Sequence, residues 1–262
     1  MTLRLLLPPS VGSARAHARA ELLQQSLRAD LAEDVEIDVA DGYADLASRV
    51  EAGEADMVWM PPTVCARLEP RLHSIHKCVR QGHTTYRSCV VVRAGEVSSL
   101  RALSGLRAAW VDRLSVGGYL LAKDELARQG ITDDVLGEQT FEGSYPEALD
   151  ALLEERADFS ALTVRDDSPG AARDGLAMYG GKPAADRLIG IHVTRTSPND
   201  AIGLTEALDA RRAEKVARRI FEKPGRRAQA ALCLALDAEG FIRATPGEYR
   251  PLRRLLEHGD RT

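Results

Sequence analysis

The sequence has no apolar run near the roughly 18 residues that a membrane-crossing helix needs, so no membrane insertion is expected. Leu5, Leu6 and Leu7 follow a single arginine and are stopped by Pro8 and Pro9. That is short of the roughly 7–15 apolar residues at the centre of a signal peptide. The chain as it stands is therefore expected in the cytoplasm, or in the periplasm if it is a processed form. Cysteine is scarce. Cys65, Cys78, Cys89 and Cys233 form no Cys-x-x-Cys pair and show no metal-like spacing. They are too few for a disulfide scaffold, and read as buried thiols with no metal to hold. Basic charge is not in excess: the formal net charge is -4 at pH 7, which gives a polyanion no reason to bind and excludes nucleic acid as a main partner. Several catalytic signatures are also missing: there is no Gly-x-Ser-x-Gly elbow, His-Glu-x-x-His, Walker-type phosphate loop or Gly-x-Gly-x-x-Gly. No catalytic residue and no cofactor are assigned.

What is present is an alternation of strand and helix. The 262 residues are enough for two lobes of ordinary size. Residues 3–7 read as a buried strand, and 14–31 as a helix with Ala16, Ala20, Leu23, Leu27 and Leu31 close to one face. Residues 35–39 alternate as a strand, 43–51 are helical, and 57–60 form a strand stopped by Pro61-Pro62. The same order returns as strand 106–111, helix 118–129, strand 139–141, helix 146–155 and strand 158–162. Tyr43 and Asp56 recur at one constant offset as Tyr145 and Asp158, with Glu-Ala-Asp closing one segment and Arg-Ala-Asp the other. Two similar α/β lobes follow.

Ser10-Val11-Gly12 and Ser115-Val116-Gly117 each stand between a lobe's first strand and its first helix. In an open α/β sheet, ligands sit beyond the carboxyl ends of the strands, where these stretches, Ser13, Pro61 and Gly143-Ser144-Tyr145 should fall. A hydroxyl, free backbone N–H groups and a helix dipole at such a turn suit an anion. The alternative is that Ser115 only caps its helix and Gly117-Gly118 only makes a tight turn.

The run from Tyr86 to Gly130, which contains LSGLRAAWVDRLSVGGYLLAKDELARQG, resembles the phosphate/phosphite/phosphonate-binding family of ABC-transporter solute-binding proteins. The stretches FEGSYPEALDALLEERADFSAL and SPNDAIGL extend the likeness, and residues 1–70 match more weakly. The resemblance implies a type II periplasmic-binding fold with two Rossmann-like lobes and a central cleft that closes by hinge motion. Lobe I would be residues 1–92 plus 198–262, lobe II residues 93–197, and the hinge would lie near 90–95 and 194–200. It also implies a non-catalytic function, capture of a small anion: a phosphonate, phosphite or phosphate-like ion, or a compact carboxylate. An ABC permease or a regulatory partner would be served.

Carried over by position, the anion turn falls on Ser115, Val116 and Gly117, followed by Gly118 and Tyr119. Where the family has a run of hydroxyl residues only Ser115 keeps its hydroxyl, so backbone N–H groups carry more of the binding. The family's Gly-Ser-His turn appears as Gly143-Ser144-Tyr145, with a phenol in place of an imidazole. The family's tyrosines match Tyr43 and Tyr86, and an acid that reads an amino group in some relatives would fall near Thr163 to Asp167, with Asp166 and Asp167 as the candidates and Thr163 carried over as a ligand-binding position.

An enzyme on the same fold, acting on a small carboxylate as a chorismate dehydratase does, is the alternative, with Asp112, Glu142 or Asp166 as the proton-transfer group. His73 and His76 would point to opposite faces of a strand and are not a metal pair. His192, in an apolar run, reads as a core or hinge residue. The arginine-rich helical stretch 208–256 reads as solvated faces, with a docking strip for a partner as the other option.

Overall fold

Leu3, Leu5, Leu6 and Leu7 are all buried, which requires cover on both faces of the strand that carries them. That strand, β1 (Thr2–Leu7), is flanked in parallel by β2 (Asp34–Val39) and β3 (Met57–Met60). The computed structural model describes residues 2–8, 13–223 and 226–259. The chain divides into two compact units, Met1–Thr84 with Pro198–Arg253, and Thr85–Ser197 with Arg254–Thr262.

In the first unit α1 (Ser13–Leu31) and α2 (Tyr43–Glu51) make the crossovers between the parallel strands. Leu23, Leu27 and Leu31, four residues apart, lie on one face of α1 and are buried with Leu3, Leu5 and Leu7. The sheet runs on through α3 (Pro62–Leu68) to β4 (Leu72–Val79), and later through β10 (Ala201–Thr205) and β11 (Gly240–Arg243), in the order β11-β4-β10-β3-β1-β2. The helix α7 (Ala210–Ile220) adds Ala213, Val216, Ala217 and Ile220 to the core, and α8 (Arg227–Leu236) adds Ala228 and Leu232. The strand β11 lies inside the stretch expected to be helical; there Phe241 packs edge-on against Phe221 while the strand pairs with β4.

The second unit has β5 (Thr85–Arg93), β6 (Ala108–Trp110), α4 (Leu121–Arg128), β7 (Gln139–Phe141), α5 (Tyr145–Leu153), β8 (Phe159–Val164), α6 (Ala171–Arg187) and β9 (Leu188–Pro198). Its sheet order is β7-β6-β8-β5-β9. The repeat read from the sequence is thus a repeat of topology. In one unit a parallel trio β2-β1-β3 meets the antiparallel β10; in the other a parallel trio β7-β6-β8 meets the antiparallel β5. The strand β5 lies wholly in the second sheet, with Cys89 to Val92 buried along it, so the first division falls at Thr84/Thr85 and not at 92/93. From Arg254, at α9 (Arg253–Gly259), the chain groups with the second unit.

One constellation occurs in both units. The Arg4 backbone N–H and Nε both donate to Asp56 Oδ2, at 2.9 and 3.2 Å, and Nη2 donates to Oδ1 at 2.8 Å. The Arg107 backbone N–H and Nε donate to Asp158 Oδ2 at 2.8 and 3.1 Å, and Nη2 donates to Oδ1 at 2.9 Å. In each case the aspartate N–H returns a bond to the arginine carbonyl, at 2.9 Å. The paired arginine and aspartate sit at the amino ends of two neighbouring parallel strands and fix their register, the task for which a planar guanidinium and a carboxylate are matched. Asp158 takes a further bond from Arg93 Nη2 at 3.1 Å.

The Arg107 guanidinium holds the Asp158 carboxyl down to about 2 from its ordinary 3.8; burial opposes this, and the Arg107 N–H and Arg93 reinforce it. The folded value lies below the unfolded one, so the ionised carboxylate stabilises the fold above about pH 4, and this is lost as pH falls towards 2. Asp158→Asn is expected to cost about 2 kcal/mol at pH 7 in urea unfolding, with the gap to the native protein narrowing from about pH 4 downward. A gap that stays constant with pH would remove the carboxylate's charge from this account.

Candidate functional site

The second unit's first crossover turn is built from backbone and hydroxyl groups. After β6, Asp112 accepts at its carbonyl from Ser115 N–H (3.0 Å) and at Oδ1 from Leu114 N–H (2.7 Å). Ser115 then caps a π-helical turn, Val116–Leu120, its Oγ accepting from Gly118 N–H at 3.1 Å. The Ser115 hydroxyl keeps its own proton to donate. The first N–H groups of a helical segment, here those of Val116 and Gly117, have no acceptor within the helix itself. The turn continues into α4, so the helix dipole points its positive end at these donors. Beneath it, Ser88 of β5 donates its Oγ–H to the Gly117 carbonyl at 2.6 Å.

Gly117 is the point on which the predicted residues converge. A Cβ placed there would lie 2.2 Å from Thr163 Cγ2, 2.8 Å from the Tyr145 hydroxyl oxygen and 3.2 Å from Tyr86 Cε2. No side chain fits. Residues from β5, β8 and the start of α5 occupy the volume that a side chain at 117 would fill. Ser144 caps α5 by accepting from Glu147 N–H at 3.4 Å, and Tyr145 opens the helix.

Tyr119 takes a different place. It is 4 % exposed, edge-on to Trp110 and Phe141 at 5.3 and 5.2 Å, and burial pushes its phenol up. It supports the turn from the core, among aromatic rings. In the first unit Tyr43 opens α2 after Gly42, and Pro61 precedes α3, its carbonyl accepting from Cys65 N–H at 2.9 Å. Ser10 lies outside the described residues, and of Ser13 only the backbone, which opens α1, is described.

The acids singled out for proton transfer or amine reading all have protein partners. Asp166 Oδ1 accepts from Ser168 N–H at 2.9 Å, Asp167 lies 3.6 Å from Arg87, and Glu142 accepts from Thr140 Oγ and pairs with Arg156 at 3.3 Å. His73 Nε2 bonds the Leu208 carbonyl at 2.9 Å. His76 is buried against Phe221 with ring centroids 4.0 Å apart, and burial, with Arg243 adding, lowers it to about 4. His192 lies 3.7 Å from Glu125. Cys65, Cys78 and Cys89 are buried and Cys233 half-buried, and burial raises the thiols; Cys89 is pushed up to about 12. No metal-holding group of side chains occurs among the described residues, and no helix among them is long and apolar enough to cross a membrane.

Two groups of residues were not anticipated. Tyr179 of α6 stacks on Tyr145 at 4.4 Å and bonds Thr163 Oγ at 2.5 Å. Its only sequence signal is the Gly180-Gly181-Lys182-Pro183 break that follows it. In the first unit, at the carboxyl end of β3, Asp200 accepts from Trp59 Nε1 at 2.6 Å and pairs with Arg80.

Residues 5–249 match the family described as the periplasmic substrate-binding protein of the phosphonate ABC transporter. The chain belongs to this family and is a non-catalytic solute-binding protein for a small anion, with two α/β lobes of the type II periplasmic-binding architecture. Membership of a substrate-binding family is what decides against the enzyme reading. No curated protein matches the chain. Among solved structures it is similar to XAC2383 from Xanthomonas citri, seen bound to chloride ion and, separately, to ATP: TM-score 0.79 and 20% identity in both, covering 99% of this chain and 98% or 97% of that one. It is also similar to PhnD1 from Prochlorococcus marinus in complex with methylphosphonate, with TM-score 0.73 and 16% identity over 100% of this chain and 99% of that one.

Gly117→Ala is expected to destabilise the second unit by about 1–3 kcal/mol, because the methyl group meets Thr163 Cγ2 at 2.2 Å. Thermal unfolding checks it, and Gly117→Ala combined with Thr163→Ser, which removes the opposing methyl, should recover most of the loss. Recovery of none of it would mean that Thr163 does not set the size limit at 117.

Proposed function

We propose that the ligand is a small oxyanion, phosphonate, phosphite or phosphate-like or a compact carboxylate, held on the 115–118 turn by neutral donors. The donors are the N–H groups of Val116 and Gly117, the Ser115 hydroxyl and the Tyr145 hydroxyl. Tyr86, Thr163, Ser144 and Gly118 shape the turn. The observation that carries this reading is the convergence of Tyr86, Tyr145 and Thr163 on Gly117, the second residue of a turn capped by Ser115. Hinge closure of two lobes is the family's mode of capture. Delivery to an ABC permease outside the inner membrane follows from the same family reading, and the carriers with which the chain shares its fold include one with methylphosphonate.

Donors of this kind bind through geometry. A hydrogen bond to a charged acceptor is worth about 1.5–3 kcal/mol even when the donor is neutral. Three or four such bonds are enough for a micromolar ligand once the cost of ordering it is met.

The test is thermal unfolding against phosphate, phosphite, methylphosphonate, sulfate and small carboxylates. A ligand at 100 times its dissociation constant adds about 2.7 kcal/mol, a shift of roughly 5–10 °C for a chain of this length. Tyr145→Phe and Ser115→Ala, which keep shape and remove a donor, should each weaken that ligand about tenfold or more by calorimetry. A shift with none of the anions would end the reading, and unchanged affinity in both variants would move the site elsewhere.

A further inference from the structure

The helix α6 is interrupted. Gly181 has φ 66 and ψ -162, inside a segment that also holds Gly180 and Pro183, so the regular helix ends just after Tyr179. The part before the break lies close on β8. A Cβ at Gly175 would stand 2.7 Å from Leu162 Cδ1 and 3.1 Å from the Thr163 carbonyl, an approach that only glycine permits. Tyr179 is one turn further along the same face of the helix. Its hydroxyl therefore arrives 2.5 Å from Thr163 Oγ, and its ring stacks on Tyr145 with centroids 4.4 Å apart and planes at 26°.

Thr163 carries a methyl and a hydroxyl on one carbon, and its side chain rotates between staggered positions that exchange them. With the hydroxyl bonded to Tyr179, the methyl is the group that faces Gly117. Tyr145, which with Tyr86 also stands against Gly117, has one ring face covered by Tyr179. Tyr179 thus touches both residues that line the turn from the α5 and β8 side.

We propose that Tyr179 is a positioning residue of the anion turn, selecting the Thr163 rotamer that shows the turn a methyl group and steadying the Tyr145 ring. The inference rests on the reading that the 115–118 turn holds an anion. It implies that the wall beside Gly117 is apolar because of a hydrogen bond made behind it, and that removing the Tyr179 hydroxyl frees the Thr163 hydroxyl to turn towards the ligand.

The experiment is calorimetry with inorganic phosphate and with methylphosphonate on the full chain, comparing Tyr179→Phe, Thr163→Val and the double variant. Tyr179→Phe keeps the stacked ring, and Thr163→Val keeps the branched shape with no hydroxyl to turn. The expected result is a change of about fivefold or more in the ratio of the two dissociation constants for Tyr179→Phe, with phosphate gaining relative to methylphosphonate. In the Thr163→Val background the same change at 179 should leave that ratio within about twofold. A role confined to stability would weaken both probes together and leave the ratio alone. An unchanged ratio in Tyr179→Phe, or an equal change in the Thr163→Val background, overturns the inference. Should Tyr179→Phe not fold, Thr163→Val alone decides: an apolar wall already in place predicts a ratio close to the native one, and a large shift overturns the inference. Failure of the native chain to bind either probe would instead overturn the anion reading.

Discussion

Two arginine–aspartate pairs set the frame of this protein. In each unit a guanidinium at the amino end of the first parallel strand grips the carboxylate at the amino end of the neighbouring strand, with backbone bonds running both ways. The apolar residues of β1 and β6 carry no register of their own, since Leu3, Leu5, Leu6 and Leu7 are all buried, whichever face they point to. A polar pair with three directed bonds supplies what leucines cannot. It lies at the amino ends of the strands, so the carboxyl ends, where the turns gather, are left to vary without disturbing strand alignment. The separation of a fixed end from a chemical end is the general advantage of parallel α/β sheets.

At the chemical end of the second unit, the side chains that meet Gly117 are neutral, and the turn's own acid, Asp112, is engaged by the Leu114 N–H. The groups around Gly117 are phenols, a threonine, a serine and backbone amides. The acids close in sequence, Asp166, Asp167 and Glu142, are engaged by a backbone N–H, by Arg87 and by Arg156. A site made of neutral donors pays little desolvation cost when it is empty, because no ion of its own is stripped of water. The packing around the turn comes from Ser88 under the Gly117 carbonyl, Trp110 and Phe141 around Tyr119, and Tyr179 behind Thr163 and Tyr145.

Much of the fold could be read directly from residue pattern. Helix 43–51 and strands 57–60 and 139–141 agree with the observed elements, because proline stops, capping residues and short apolar runs are local signals. The duplication could be read as well, since Tyr43 to Asp56 and Tyr145 to Asp158 repeat in chain order. Harder to read were features made by distant partners. The strand β11 exists because an edge of β4 is open to Phe241, and helical composition around it hid that. The division at Thr84/Thr85 depends on which sheet β5 joins, a question of pairing and not of composition. Within the site, Tyr86, Tyr145 and Thr163 were reached through a resemblance and do converge. Tyr119 belongs to the same short motif as Ser115 and Gly117, but the helical turn directs it into the core. Tyr179 was missed because its contact with Thr163 spans a loop and most of a helix.

The crowding at Gly117 bears on how such a protein could change its preference over time. A new side chain at 117 cannot appear alone, since the space is held by Thr163, Tyr145 and Tyr86 from three separate elements. Nor can Thr163 or Tyr145 shrink without opening a gap beside a backbone that has nothing to fill it. Routes to a different ligand therefore pass through paired or triple replacements, with less stable chains as the intermediates. The turn is buried and tightly packed, so it should drift more slowly than an ordinary connection between a strand and a helix.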